Sequence, residues 1–249
     1  PAAAPAAARA PTRSATGAAA GARRGADWSF EGVTGPAHWA DLRADWRLCR
    51  DGRRQSPINL VEGLDVDLAP PQFDYRPSYF RVVDTGRMLQ VQVGEGLGVS
   101  VRGERYDLTH VQLHAPVSEQ VDNIRAAAAV HLHHRSADGR ILVVVVLLTL
   151  GPQANPFVQT VLNNLPLERG SAHSTGAALD LSSLLPFDLR HYLYVGSLVT
   201  PPCTEGVTWV VLRQAGSLSE AQHQVLIRLY PNTARPAQPA YERRVLRSR

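Results

Sequence analysis

Two short histidine-rich segments carry the residue types that could do chemistry in this chain. Residues 110–114 read His-Val-Gln-Leu-His, and residues 131–134 read His-Leu-His-His. Neutral imidazole is a common protein ligand for zinc and related divalent metals. Imidazoles brought together from neighbouring strands could hold such an ion and let it activate a bound water. The two segments therefore suggest a metal site built on a β-sheet.

The spacing within each segment fits that interpretation. Side chains two residues apart in a strand lie on the same face of the sheet. His110, Gln112 and His114 would therefore share one face, and His131 and His133 would share a face on a second strand. The middle position of the first row carries an amide where a third imidazole would be expected.

Much of the chain around these segments also has strand character, with β-branched, aromatic or alternating residues separated by turn residues. The predicted strands are 79–84, 88–94, 98–101, 105–115, 127–135, 141–150, 191–196 and 207–213. Two helices are predicted, one from about Asn155 and one after Ser217-Leu-Ser-Glu220, which has the spacing of a capping box. The fold class is therefore mainly β (α+β), one sheet-rich domain with a few peripheral short helices.

Composition separates a leading segment from the domain. Residues 1–26 are rich in Ala, Pro and Arg and have no hydrophobic period, so we expect an extension without a core, or a processed targeting remnant. Residues 27–249 have the composition of a globular domain. The longest apolar run, 141–150, is shorter than the roughly 20 residues that span a membrane. We therefore expect a buried strand there and no transmembrane segment.

The two cysteines of the chain, Cys49 and Cys203, lie far apart in the sequence. They could be unrelated buried thiols. They could also form a disulfide, which would close a long loop worth on the order of 4–5 kcal/mol and would require an oxidising compartment.

Several motifs, taken in order, resemble one family. They are Trp28-Ser-Phe30, Gly35-Pro-Ala-His-Trp39, Gln55-Ser-Pro-Ile-Asn59, His114-Ala-Pro116, Gly196-Ser-Leu-Val-Thr-Pro-Pro-Cys203 and Glu205-Gly-Val-Thr-Trp209. Together they are similar to the α-class carbonic anhydrases across residues 27 to about 246. The resemblance implies a large, mostly antiparallel twisted sheet with zinc at the bottom of a conical cleft. It also implies a Cys49–Cys203 disulfide, which exported members of that family often form.

The resemblance implies a zinc site that is degenerate in this chain. Family members hold zinc with three histidines, and the zinc-bound hydroxide attacks CO2. The first histidine position falls on Gln112, and the other two fall on His114 and His131. An amide oxygen is a weaker donor to such an ion than imidazole.

The residues that support the zinc site in the family are also changed. His110 stands where the family has a glutamine behind the first ligand, and Ala129 stands where it has a glutamate. Val199 replaces the threonine that holds the hydroxide, while the next residue, Thr200, is kept. Glu119 matches the glutamate partner of the lost threonine. Losing one such preorganised polar contact costs about 3–4 kcal/mol of transition-state stabilisation.

We therefore expect a carbonic-anhydrase-like domain that is not an enzyme and has no required cofactor, kept as a structural or interaction subunit of a larger assembly. The alternative is a weak or altered zinc enzyme, either a slow carbonic anhydrase or a hydrolase. In that case His133 or His110 would substitute for the missing ligand beside His114 and His131. His134 would point to the opposite face and is interpreted as structural.

The net charge of +4 is concentrated at the two ends of the chain. Charge alone is compatible with nucleic-acid binding, but no motif for it accompanies the arginines. We expect protein subunits as partners, contacted through the N-terminal extension and the basic C-terminus. The expected location is an oxidising compartment outside the cytosol. An organelle lumen or intermembrane space, in a thylakoid or a mitochondrion, is favoured over a secreted or periplasmic location.

Overall fold

The computed structural model describes residues 27–118, 120–122, 124 and 126–249. The strands of this part of the chain form one 13-stranded sheet. In chain order they are β1 (Leu64–Val66), β2 (Gln72–Asp74), β3 (Ser78–Asp84), β4 (Leu89–Val93), β5 (Gly98–Val101), β6 (Glu104–His114), β7 (Ala128–Arg135), β8 (Ile141–Leu150), β9 (Ala172–Leu179), β10 (His191–Ser197), β11 (Glu205–Leu212), β12 (Gly216–Leu218) and β13 (Leu246–Ser248).

The sheet has the spatial order β1-β13-β10-β11-β8-β7-β6-β4-β3-β9, with β12 on β8, β5 on β6 and β2 on β5. Most neighbours are antiparallel. The parallel pairs are β1 with β13, β11 with β8, and β12 with β8. This architecture confirms the predicted fold class. It also puts β6 and β7, which carry the histidines, side by side near the middle of the sheet.

Strand β8 shows why the sheet has two packed faces. Its sequence is almost continuously apolar, as expected for a central strand buried on both sides. Alternate side chains enter two different hydrophobic clusters: Leu142, Val144 and Val146 face one, while Val143 and Val145 face the other. All five side chains are at most 1 % exposed. The second cluster is the one that continues to the histidine face of β7.

The helices of the described residues are short and peripheral: α1 (Trp39–Leu42), α2 (Leu48–Asp51), α3 (Pro156–Asn163) and α4 (Glu220–Leu229). The side chain of Asn155 caps α3. The capping box predicted at Ser217 and Glu220 is wrong by two residues, because Ser219 and Gln222 form it. Ser217 lies in β12 instead, where its hydroxyl donates to the carbonyl of Gln153.

A disulfide joins Cys49 at α2 to Cys203 in the loop between β10 and β11, with the two Cα atoms 5.1 Å apart. Both cysteines pack in a small cluster with Phe30, Trp39 and Met88. The predicted bridge is therefore confirmed, and the alternative of two free thiols is wrong. The bridge ties the N-terminal helices to the loop that carries the family's Thr-Pro-Pro motif.

The leading segment, residues 1–26, lies outside the described residues, so its predicted role stays a prediction. The segment from Gln55 to Leu60 is irregular, and Leu60 makes one isolated bridge to Val121. Within the described ranges, no helix is long and apolar enough to cross a membrane.

Candidate metal centre

The pairing of β6 with β7 brings the two histidine segments together. Gln112 lies directly opposite His131, and His110 lies opposite His133. The ring centroids of His114 and His131 are 4.2 Å apart, and those of His110 and His133 are stacked at 4.5 Å. The shared face predicted from the spacing is therefore present.

His114 is held from behind by the backbone. Its Nδ1 lies 2.8 Å from the carbonyl oxygen of Thr233, and a carbonyl can only accept, so Nδ1–H is the donor. Burial lowers the pKa of His114 to about 4, which keeps the ring neutral at physiological pH. The other nitrogen, Nε2, then carries a lone pair, and it faces Oε1 of Gln112 at 3.4 Å.

The amide of Gln112 is anchored on its other side by His110. Nε2 of Gln112 lies 3.2 Å from Nε2 of His110. The Nδ1 of His110 lies 3.0 Å from the hydroxyl of Thr109, which donates to the carbonyl of His133 at 2.9 Å. Burial lowers the pKa of His110 to about 4, so this ring is also neutral at physiological pH.

His131 is the least satisfied polar side chain of the site. It is 4 % exposed, and neither ring nitrogen has a hydrogen-bond partner among the described residues. Burial, followed by the nearby His114 and His133 rings, lowers its pKa well below the usual value. A void of about 20 Å³, lined in part by Ala129 and Val199, lies beside it. Such a void has room for about one water molecule.

The void is where the resemblance places polar groups. Ala129 and Val199 are 1 % and 4 % exposed and pack in the same hydrophobic cluster, so their side chains offer no hydrogen bond to the site. Thr200 is kept, and its carbonyl accepts the N–H of Cys203 at 2.9 Å in the turn. Glu119 lies outside the described residues, so its predicted role stays a prediction.

His134 points away from this group, as expected. It is 1 % exposed, and its Nε2 lies 2.8 Å from the hydroxyl of Tyr75 on the other side of the sheet. Its structural role follows from this contact with Tyr75.

Two residues that hold the site together could not be found by sequence reasoning. The hydroxyl of Thr233 accepts the N–H of Ala115 at 2.8 Å, next to His114. The buried guanidinium of Arg235 donates to Gln55 Oε1 and to two backbone carbonyls. Both residues lie more than a hundred positions from their partners, and no local spacing marks them.

The donor set can be tested for its fit to a divalent metal ion. Among the described residues, no group of three or more His, Cys, Asp or Glu side chains is placed to hold one. The proposed substitutes, His133 and His110, are thus not assembled with His114 and His131 into such a group. The amide oxygen of Gln112, however, is aimed at the lone pair of His114. Two imidazoles and one amide oxygen fit zinc or a similar ion, more weakly than three imidazoles would.

The twisted sheet and the histidine row on two central strands are those of the carbonic anhydrase class. The chain belongs to the eukaryotic-type carbonic anhydrase family, whose model matches residues 34–249.

Individual relatives agree with this assignment. The carbonic anhydrase of Pectobacterium atrosepticum is 31% identical over 213 residues, which are 85% of this chain and 87% of that protein. The carbonic anhydrase of Neisseria gonorrhoeae is 33% identical over 221 residues, 88% of this chain and 87% of that protein. The α-carbonic anhydrase of Thermovibrio ammonificans, solved with the inhibitor sulfanilamide, is 33% identical with a TM-score of 0.85, covering 89% of this chain and 99% of that one.

Proposed function

We propose that this domain does not hydrate CO2 efficiently and that it serves as a structural or interaction subunit in an oxidising compartment. The observation that carries the proposal is the apolar wall beside His131, where Val199 and Ala129 line a void and leave both ring nitrogens without partners. A hydroxide at this position would lack the hydroxyl that orients it.

The expected loss of activity is large. Removing one preorganised donor or acceptor from a transition state lowers the rate about 10²–10³-fold. Losing the groups that orient metal ligands lowers metal affinity or activity about 10- to 100-fold. Both losses apply here through Val199 and Ala129. A weak zinc-dependent activity remains the second candidate, because Gln112 and His114 face each other with a donor geometry that suits a metal.

Stopped-flow CO2 hydration on zinc-equilibrated protein tests the catalytic part. We expect no sulfonamide-inhibitable rate above the buffer background. A variant with Gln112→His, Ala129→Glu and Val199→Thr should gain such a rate. The matched control is Val211→Thr, which places the same hydroxyl elsewhere in the same buried cluster and should gain none. An inhibitable rate in the unmodified protein would overturn the proposal.

A basic groove supports the interaction part. A groove of about 650 Å³ is lined by four arginines, one glutamate and two exposed apolar side chains: Arg53, Arg54, Arg243, Arg244, Glu242, Tyr241 and Val195. Arg53 lies over the ring of Tyr241 at 4.8 Å. Such a mixture of arginine and aromatic side chains suits a protein partner with an acidic segment.

The C-terminal arginines contribute unequally to this surface. Arg243 donates to the carbonyls of Gln55, Pro239 and Ala240, and Arg247 pairs with Asp65. Arg244 therefore carries more of the proposed contact than its neighbours.

Size-exclusion chromatography of native extracts tests the interaction. We expect elution with a large complex, and we expect Arg53→Glu with Arg244→Glu to shift the protein towards its own mass of 27.1 kDa. The matched control is Arg81→Glu, an exposed arginine outside the groove. Elution of the unmodified protein at the mass of the single chain would contradict the proposal.

A further inference from the structure

We propose that Gln112 is a metal ligand through its Oε1 atom, together with His114 and His131, and that His110 is a positioning residue for the amide. This inference goes beyond the proposed function, because a bound metal is compatible with the absence of CO2 hydration. It rests on the direction of the hydrogen bonds around Gln112.

The hydrogen bonds around Gln112 run from His114 on one side to His110 on the other. On the His114 side, the carbonyl of Thr233 determines which ring nitrogen carries the proton. That oxygen can only accept a hydrogen bond, so Nδ1 of His114 carries the ring proton. A neutral imidazole has one N–H, and Nε2 of His114 is therefore an acceptor.

On the His110 side, the carbonyl of His133 determines the direction of the hydrogen bonds. The hydroxyl of Thr109 donates its only proton to that oxygen, so Nδ1 of His110 must donate to the hydroxyl. Nε2 of His110 is then an acceptor, and it requires the NH2 group of Gln112 as its donor. Oε1 of the amide is left pointing towards His114.

As a result, two hydrogen-bond acceptors, one on Gln112 and one on His114, face each other. Oε1 of Gln112 and Nε2 of His114 lie 3.4 Å apart with no proton available between them. This contact is repulsive unless a positive charge lies beside both atoms. Two ligand atoms that each lie about 2.1 Å from a tetrahedral zinc ion are about 3.4 Å apart. The observed separation is therefore compatible with two ligands of one ion.

His131 supplies the third donor. Its ring lies beside that of His114, with centroids 4.2 Å apart, and both of its nitrogens are buried without a partner among the described residues. An imidazole buried in this way costs free energy unless a ligand satisfies it. A divalent ion of the zinc or cobalt class would bind one ring nitrogen of His131 together with Nε2 of His114 and Oε1 of Gln112.

A competing arrangement needs no metal. If the hydroxyl of Thr109 donated to His110 instead, the amide of Gln112 could rotate and donate to His114. That arrangement leaves the carbonyl of His133 without its hydrogen bond from Thr109. It predicts that Gln112 has no influence on metal affinity.

The experiment is a titration of chelator-treated protein with cobalt(II), followed by its visible absorption bands, and with zinc(II) in competition with a chromophoric chelator. We expect stoichiometric binding by the unmodified chain. Gln112→Leu, which keeps the size and removes the oxygen, should weaken binding by at least about 10-fold, and Gln112→Glu should retain or tighten it. The matched control is Gln90→Leu, since Gln90 lies directly opposite Gln112 on β4 and should not matter.

The positioning role of His110 is tested with one variant that should lose it and one that should restore it. His110→Leu should weaken cobalt binding and alter the absorption bands while leaving the melting temperature of the metal-free protein nearly unchanged. His110→Gln, which again offers an acceptor to the amide, should restore both. Failure of the unmodified chain to bind either ion, or equal affinity in Gln112→Leu, would overturn the inference. Neither result depends on the CO2 hydration rate, so the two proposals fail independently.

Discussion

Reducing the Cys49–Cys203 disulfide should remove a large part of the stability of the domain. The bridge joins residues separated by 154 positions. In the chain-entropy model, a loop of that length loses about 17 cal/mol/K of unfolded-state entropy, which is about 5 kcal/mol at 25 °C. Domains of this kind have a total free energy of unfolding of about 5–15 kcal/mol. The bridge therefore accounts for a third or more of the total.

The assay compares guanidinium unfolding of the oxidised and the reduced protein. Both cysteines are buried, at 6 % and 0 % exposure, so reduction leaves two thiols in the same packing and changes mainly the unfolded state. We expect the free energy of unfolding to fall by about 5 kcal/mol on reduction. A Cys49→Ala, Cys203→Ala variant should resemble the reduced protein and should not respond to reductant.

A fall of less than about 1 kcal/mol on reduction would refute this reasoning, because it would mean that loop closure costs the unfolded chain far less than the model requires. The expected outcome also bears on location. In a reducing compartment the domain would lose this stabilisation, whereas an oxidising one preserves it.

Three further predictions concern single side chains. Burial lowers the pKa of His134 to about 3. The unfolded chain therefore takes up this proton first, and stability present above pH 6.5 is lost as the pH falls towards 3, by about 4–5 kcal/mol. His134→Phe should reduce the loss of stability between pH 7 and pH 4 in urea unfolding by the share of one histidine, because the other buried histidines with lowered pKa values still contribute, and an unchanged loss would contradict the assignment. Arg235→Met removes three buried hydrogen bonds and should cost about 3–5 kcal/mol. If Arg235→Met lowered the melting temperature no more than a surface arginine variant does, this prediction would be wrong. Ser219→Ala should cost about 1 kcal/mol as the N-cap of α4. Ser217→Ala should cost less. If chemical denaturation showed the larger loss for Ser217→Ala, the N-cap would be Ser217, as predicted from sequence.

Several strands could be predicted because their residue types strongly favour an extended conformation. Strand β8 is observed at Ile141–Leu150 and β5 at Gly98–Val101, which are the ranges predicted. Both are rich in β-branched residues and end at turns. In these strands the local preference and the tertiary packing favour the same structure.

The missed strands lie at or next to the edges of the sheet, where pairing with a neighbouring strand, and not residue composition, decides whether a strand forms. Strand β9, Ala172–Leu179, is mostly exposed and made of small and polar residues, so it has no apolar alternation. It is a strand because β3 offers it unpaired backbone groups. The three-residue strands β1 and β13 depend in the same way on each other and on β10.

The histidine cluster could be found from spacing, but its proton directions could not. They are set by the carbonyls of Thr233 and His133, and the first of these reaches His114 across 119 positions of sequence. From sequence alone, Gln112 is a lost ligand. In the folded chain, its amide is held with the oxygen towards His114.

Metal binding and CO2 hydration are therefore separate properties of this site. The proposed binding depends on Gln112, His114 and His131, which the fold brings together with compatible donor atoms. Hydration also requires polar groups where the structure has Ala129 and Val199, which line the same void as His114 and His131. The ligand set can persist without the orienting groups, because different side chains supply the two. A protein that binds the ion and leaves CO2 unhydrated is the combination that this arrangement favours.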